Sequence, residues 1–315
     1  MRRRRKFYRG VANHVYQRTI DGVQLFYCIE DCLVFFTIFA VCAKSLGIQP
    51  LALCLMHNHF HCLAVAETRD QLSRFLDRFT SWFVREYNTF VGRTGKLFKK
   101  NFGSAPKWDE KKLRSAIIYI GNNPVEKHFC KTAVEYRWNF LAYRNNPSPF
   151  SEKLIKRNVS HDLYKSVKEV DTMVAINRPL KYARLIRMFS KLSVVEREQL
   201  IDYIITAYLP LDYKECESYF KSHESMLAAM NSTTGEDYDI KESRDSFSIR
   251  NFVEMMKYME RRMPRHEVRK VTAYPIDEKI RLGRELQRMT SASIQQICGF
   301  LHIKPAKHDP EGRFA

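Results

Sequence analysis

The sequence has no apolar run approaching the roughly 20 residues that span a bilayer, which excludes a transmembrane helix. Its start, MRRRRKFYRG, is basic and has no apolar core of the kind a signal peptide requires. The eight cysteines include no Cys-x-x-Cys pair, and Cys28, Cys42, Cys54 and Cys62 lie inside apolar segments. They read as reduced packing residues of a cytoplasmic protein rather than a disulfide or zinc framework. Acids are scarce in the first half. Residues 1–150 carry 24 Lys+Arg against 11 Asp+Glu, a net charge of +13, whereas the remainder carries 29 against 24.

What is present points to a polyanion partner. The chain of 315 residues is 45% hydrophobic and 13% aromatic, enough to bury a core in two or three compact units. A formal charge of +18 concentrated in the N-terminal half makes nucleic acid the first candidate partner and an acidic membrane surface the second.

The chain is organised around LALCLMHNHFHCLAV, residues 51–65. Two apolar runs flank His57-Asn58, so the stretch reads as strand, turn and strand. His59 and His61 are two apart and project from one face, with Phe60 on the other. Such a pair is half of a divalent-metal site, or simply a polar strand face. His57 has the same parity, but a turn residue does not continue the alternation.

Before this element, Val11 to Ile20 reads as a strand ending at Asp21-Gly22. LVFFTIFAVCA, between Glu30-Asp31 and Lys44, reads as a buried helix with charges matching its dipole. After it, a helix from about Asp70 carries Leu72, Phe75, Leu76, Phe79, Trp82 and Phe83 on one face and Arg74, Arg78 and Arg85 on the other. KLFKKNFGSAPK then interleaves cations with Phe98 and Phe102. It suits the bases and phosphates of a single strand, or equally a basic loop with two packing phenylalanines.

The next helix runs from Asp109 to about Asn123, where Pro124 predicts its boundary. On it Tyr119 and Asn123 are neighbours one turn apart. They read either as a core-shielding tyrosine with a C-terminal asparagine, or as a functional pair. Tyr87, Tyr136 and Tyr143 have Val91, Phe140 and Pro147 at the equivalent later position, so none combines a phenol with an amide.

The order strand, helix, strand, strand, helix, basic loop, helix predicts an α+β fold, a ferredoxin-like antiparallel sheet with packed helices. Five segments then carry a family likeness: HVYQRTIDG at His14–Gly22, MHNHFH at Met56–His61, GKLFKKNF at Gly95–Phe102, YIGNNPVEK at Tyr119–Lys127 and EYRWNF at Glu135–Phe140. In this order they resemble the single-tyrosine HUH transposases, in particular the REP-associated tyrosine transposase branch, over roughly residues 8–145. One departure is His57, which stands where the family usually has proline.

The resemblance implies a metal-dependent single-strand DNA endonuclease and transesterase acting at repeat or hairpin DNA. It implies Tyr119 as the nucleophile forming a 5′-phosphotyrosine, and Mg²⁺ or Mn²⁺ held by His59, His61 and Asn123. Arg2, Arg3, Arg4, Arg5, Lys96, Lys99, Lys100 and Lys107 are the expected DNA contacts. The partner would be single-stranded or hairpin DNA, with a homodimer among the assemblies the family allows. The other reading is a catalytically silent DNA- or RNA-binding regulator that keeps the fold.

Beyond the likeness the sequence reads helical, in a region 149–270 and a hairpin 271–315 following the HUH-like domain 1–148. Ser193-Val194-Val195-Glu196 is a capping box before a helix that ends ahead of Pro210. Residues 231–246 read as a polar loop, and Phe252 to Met263 as a helix stopped by Pro264. Asp277–Met289 and Ser293–Leu301 would share Leu282, Leu286, Ile294, Ile297 and Leu301 as a core. They resemble the front of a helix-turn-helix, but KPAKHDPEGRFA leaves no room for a recognition helix.

Overall fold

The computed structural model describes residues 7–232 and 249–304. Its first half runs β1 (Asn13–Arg18), α1 (Ile29–Ser45), β2 (Gln49–Met56), β3 (His59–Val65), α2 (Arg69–Val91), β4 (Gly103–Pro106) and α3 (Glu110–Glu126). The strands form one antiparallel sheet in the order β2-β3-β1-β4, which is the ferredoxin-like interleaving of two βαβ halves. The expected α+β architecture is therefore observed.

Period-two alternation divides the sheet between two cores. Val15, Leu53, Leu55, Phe60, Cys62 and Ala64 enter the cluster beneath α1 and α2. Cys54, Met56 and Leu63 face the other way, where Leu113, Ile117 and Ile120 of α3 cover them. His59 and His61 share the parity of Leu63, so they lie on the α3 side.

Helix α1 is apolar all round, and a helix of that kind needs neighbours on every side. The C-terminal half supplies them. After α4 (His161–Ala175), residues of α5 (Tyr182–Phe189) and α6 (Val194–Tyr208) join the core that α1 shares with the sheet. The Ser193 capping box forms as its sequence predicts, with Ser193 Oγ accepting from Glu196 N at 3.3 Å. At the start of α1, Asp31 accepts from Tyr27 N at 2.8 Å, Cys28 N at 3.1 Å and Tyr182 Oη at 2.9 Å. It also pairs with Arg269, and both charged side chains are wholly buried. A buried pair of this kind persists because its remaining lone pairs are matched by donors.

Helix α3 passes through Pro124 to Glu126, which corrects the boundary expected at Asn123. Proline removes one N–H near the end of the helix, and the last carbonyls are still capped. Lys127 N donates to Asn123 O at 3.1 Å and Phe129 N to Pro124 O at 2.8 Å. Beyond α7 (Tyr213–Ser218), α8 (His223–Asn231) packs on α3. Asn122 Nδ2 donates to Met230 O at 2.5 Å, and a Cβ on Gly121 would lie 2.5 Å from Met230 Sδ. Only glycine allows this approach.

The last elements are α9 (Ile249–Glu260), the 3₁₀ segment Arg265–Ala273, α10 (Ile276–Met289) and α11 (Ile294–Leu301). Leu282, Leu286, Ile297 and Leu301 are buried together with Met255, Met256 and Met259, as the hairpin reading expects, and Ile294 packs at the edge. His302 closes α11 in the left-handed region at φ 53°. The unit docks on the loop before α1, where Gln24 N donates to Gly299 O at 2.9 Å. The proposed polar loop at 231–246 falls almost wholly outside the described residues. Among the described residues, no helix is long and apolar enough to cross a membrane.

Candidate active site

The turn at His57-Asn58 forms as expected, and β2 and β3 pair with Met56 opposite His59 and Cys54 opposite His61. On the other side of β3 the register sets Arg18 opposite His59 and Tyr16 opposite His61. Residues directly opposite in an antiparallel pair share a face. His14, Tyr16 and Arg18 therefore stand on the same surface as the two histidines.

His59 and His61 have ring centroids 4.9 Å apart at 90° and are almost fully buried. Each is oriented by a neighbour. Asn58 Oδ1 lies 2.6 Å from His59 Nδ1, and His14 Nε2 lies 3.1 Å from His61 Nδ1. With Asn58 accepting, His59 Nδ1 carries the proton and Nε2 carries the lone pair, the arrangement that ligand histidines use. The His57 ring lies 6.1 Å from that of His59, edge to face, and stacks on Phe129 at 6.2 Å.

Tyr119 arrives from above on α3, whose start is capped by Asp109 Oδ1 accepting from Lys112 N at 2.7 Å. Its ring lies 5.2 Å from that of His61 and 5.6 Å from that of His14. Asn123, one turn on, is fully buried, and neither atom of its amide has a hydrogen-bond partner among the described residues. A buried amide without a partner costs free energy, which a ligand on its oxygen would return. Two imidazoles with an amide oxygen are a donor set that accommodates Mg²⁺ or Mn²⁺ while leaving positions for water and phosphate. Among the described residues no group of three or more His, Cys, Asp or Glu side chains has metal-holding geometry. A set completed by asparagine is of a different kind.

Other tyrosines are committed to the fold. Tyr136 Oη donates to Leu55 O at 2.7 Å and Tyr143 Oη to Asp202 Oδ1 at 2.6 Å. Burial pushes the phenols of Tyr87, Tyr136 and Tyr143 above the usual range, which holds them neutral. All eight cysteines are free thiols. Burial pushes Cys42 and Cys130 up to about 11 and Cys216 up to about 12, so these three stay as thiols at neutral pH.

The candidate DNA contacts separate. Lys96, Lys99 and Lys100 line one cleft beside α2, whereas Lys107 is buried at the end of β4 with its N–H donating to Ala12 O. Arg2, Arg3, Arg4 and Arg5 lie outside the described residues. Phe98 and Phe102 are buried in the α1–α2 core, which decides for packing over base stacking. The sequence reading missed His14, Tyr16 and Arg18 as a group. Alternation along HVYQR puts them on one face, but their register against His59 and His61 depends on pairing that one sequence does not display.

No family model matches the sequence, and no curated protein matches it. Among solved structures, the chain is similar to a REP-associated tyrosine transposase bound to a REP hairpin, with a TM-score of 0.38 and 16% identity. The alignment covers 44% of this chain and 81% of that one.

Proposed function

We propose that the chain is a transposase-like enzyme that nicks and rejoins single-stranded DNA at repeat or hairpin sequences, with Tyr119 as the nucleophile. The observation that carries this reading is the meeting of three elements at one point. Helix α3 brings a phenol 5.2 Å from the His61 ring, and β1 brings His14 against both.

In this reading Tyr119 Oη attacks phosphorus, the P–O3′ bond breaks, and a tyrosyl ester of the 5′ phosphate forms. The phenol loses its proton to a base, and the departing 3′ oxygen gains one to become a free hydroxyl. Attack by a 3′-OH reverses the step, so the bond energy is conserved for rejoining without a nucleotide cofactor. His59, His61 and Asn123 would hold a divalent cation, which when bound neutralises and orients the phosphate oxygens. Asn58 and His14 fix the two imidazole rings, and α3 keeps Tyr119 and Asn123 on a single rigid element.

A second reading has its own support. Tyr119 is only 4% exposed, so a strand reaches its hydroxyl only after the residues covering it move. That enclosure suits a DNA-binding regulator that does not cut. One experiment separates the two: incubation with repeat hairpins from the gene's own flanks, with Mg²⁺ or Mn²⁺, followed by denaturing electrophoresis. A covalent protein–DNA adduct that disappears in Tyr119→Phe, with stability within about 1 kcal/mol of wild type, supports the enzyme. Binding without an adduct, or an adduct on another tyrosine, overturns it.

A further inference from the structure

On the sheet face opposite the histidines lies a cleft of about 710 Å³ between the second half of α2 and residues 92–100. We propose that this cleft is a second DNA contact that takes the phosphate backbone of a duplex stem, without reading its bases. The proposal rests on the reading of the chain as a DNA-acting protein and adds where, and in what form, the DNA is held.

Charge is the first observation. Arg85, Arg93, Lys96, Lys99 and Lys100 line the cleft, with Asp77 its one acid. Among the described residues none of the five cations is in an ion pair. Several arginines elsewhere are matched, as in Arg137 with Glu198 and Arg144 with Glu217, whereas these five crowd one concavity. Five uncompensated cations within one concavity repel one another, and a polyanion relieves that repulsion.

The cleft is also built rather than accidental. Gly92 ends α2 in the left-handed region at φ 76°. Asn88 Nδ2 donates to Gly95 O at 2.7 Å, and Arg93 Nη1 donates to Asn88 Oδ1 at 2.7 Å. The far wall is stitched to the end of β1: Ile20 N donates to Leu97 O at 2.8 Å and Lys99 N to Arg18 O at 2.9 Å. Gln17 Nε2 adds a bond to Lys99 O at 2.9 Å.

The lining chooses the ligand. Its one aromatic, Phe98, is buried in the core, so the cleft has no platform on which bases of a single strand could stack. Exposed hydroxyls of Ser81, Thr89 and Thr94 accompany the cations, and such groups contact phosphate and sugar without sequence preference. Along α2 the lining extends from Asp77 to Gly92, about 22 Å at 1.5 Å per residue. That length matches about six steps of one duplex strand at 3.4 Å each.

The test uses the full-length protein and a fully paired DNA hairpin of arbitrary stem sequence. In the triple variant Arg85→Gln, Lys96→Gln, Lys100→Gln, hairpin affinity should fall at least tenfold near 0.1 M salt. The slope of log K against log salt should drop by about 2 to 3, close to one per lost phosphate contact. Scrambling the stem sequence should change neither value. The charge-keeping variant Arg85→Lys, Lys96→Arg, Lys100→Arg should bind as wild type, which separates charge from misfolding. An unchanged slope in the triple variant overturns the proposal. An equal loss for an unpaired strand of the same length also overturns it, because the cleft would then be a single-strand groove. The outcome is independent of the Tyr119 adduct: a protein that forms no adduct can still show the change in slope.

Discussion

His14 and His61 meet across the β1–β3 pair, Nε2 to Nδ1 at 3.1 Å, with the Tyr119 ring packed against both. For His61 to ligate through Nε2, its Nδ1 must carry the proton, and His14 is placed to accept it. His14→Phe should therefore weaken Mn²⁺ binding by about 10- to 100-fold, read as a shift in the metal titration of melting temperature. An unchanged titration would reduce His14 to packing.

Asn123 offers a sharper contrast. Its amide is buried and has no hydrogen-bond partner among the described residues, so Asn123→Leu removes none of the bonds found there. The variant should match or exceed the wild-type melting temperature without metal and lose the Mn²⁺-induced rise. A loss of more than about 1 kcal/mol without metal, measured by denaturant unfolding, would make Asn123 a structural residue.

Gly103 lies under an aromatic ring. A Cβ there would fall 2.1 Å from Cε1 of Tyr16, its partner across β1 and β4, and Tyr16 in turn sits 6.0 Å from His61. Gly103→Ala should cost about 1–3 kcal/mol, because the ring must leave the strand it covers. In a Tyr16→Ala background the same change should cost under about 0.5 kcal/mol. Equal costs in the two backgrounds would show that the ring is not what the methyl meets.

The C-terminal unit should respond to acid. His302 stacks on Tyr87 at 12°, and its Nε2 lies 2.6 Å from Gln24 O. Burial, with Arg93 and Lys279 adding repulsion, lowers its pKa to about 3. The unfolded chain binds this proton near pH 6.5, so the stabilising contribution is complete above that value and is lost progressively as pH falls toward 3. Wild type should lose about 1–2 kcal/mol between pH 7.5 and pH 5, and His302→Asn, which tolerates the left-handed backbone, should lose less. Parallel pH profiles for the two proteins would exclude His302 as the cause.

Much of this arrangement was legible because it is local. The β2–turn–β3 element declares itself through two apolar runs and the alternation of His59, Phe60 and His61. Helix α2 does so through the spacing of Leu72, Phe75, Leu76 and Phe79. The end of α3 lies three residues past the boundary expected because Pro124 only disfavours helical geometry at Asn123; the helix forgoes the bond from residue 124 to Ile120 O and still closes at Glu126. Lys107 looked like its neighbours in sequence, yet it is buried. The rest depends on distant pairings. Asp31 meets Arg269 at a separation of 238 residues, and His14 meets His61 at 47. No periodicity in a single chain announces such pairs.

Met230, seated on Gly121, sets an order on events at the ribosome. The residue that clamps the Tyr119 helix is made 108 residues after Asn122, a delay on the order of ten seconds at bacterial or eukaryotic elongation rates. During that interval the nascent chain already carries both histidines, the phenol and the basic cleft, but it lacks the contact that fixes α3. A product terminated before Met230 would thus carry Tyr119 and both histidines on an α3 held by the sheet alone, through Leu113, Ile117 and Ile120. The contact of α8 with α3 at Gly121 and Asn122 forms only when synthesis has passed Met230.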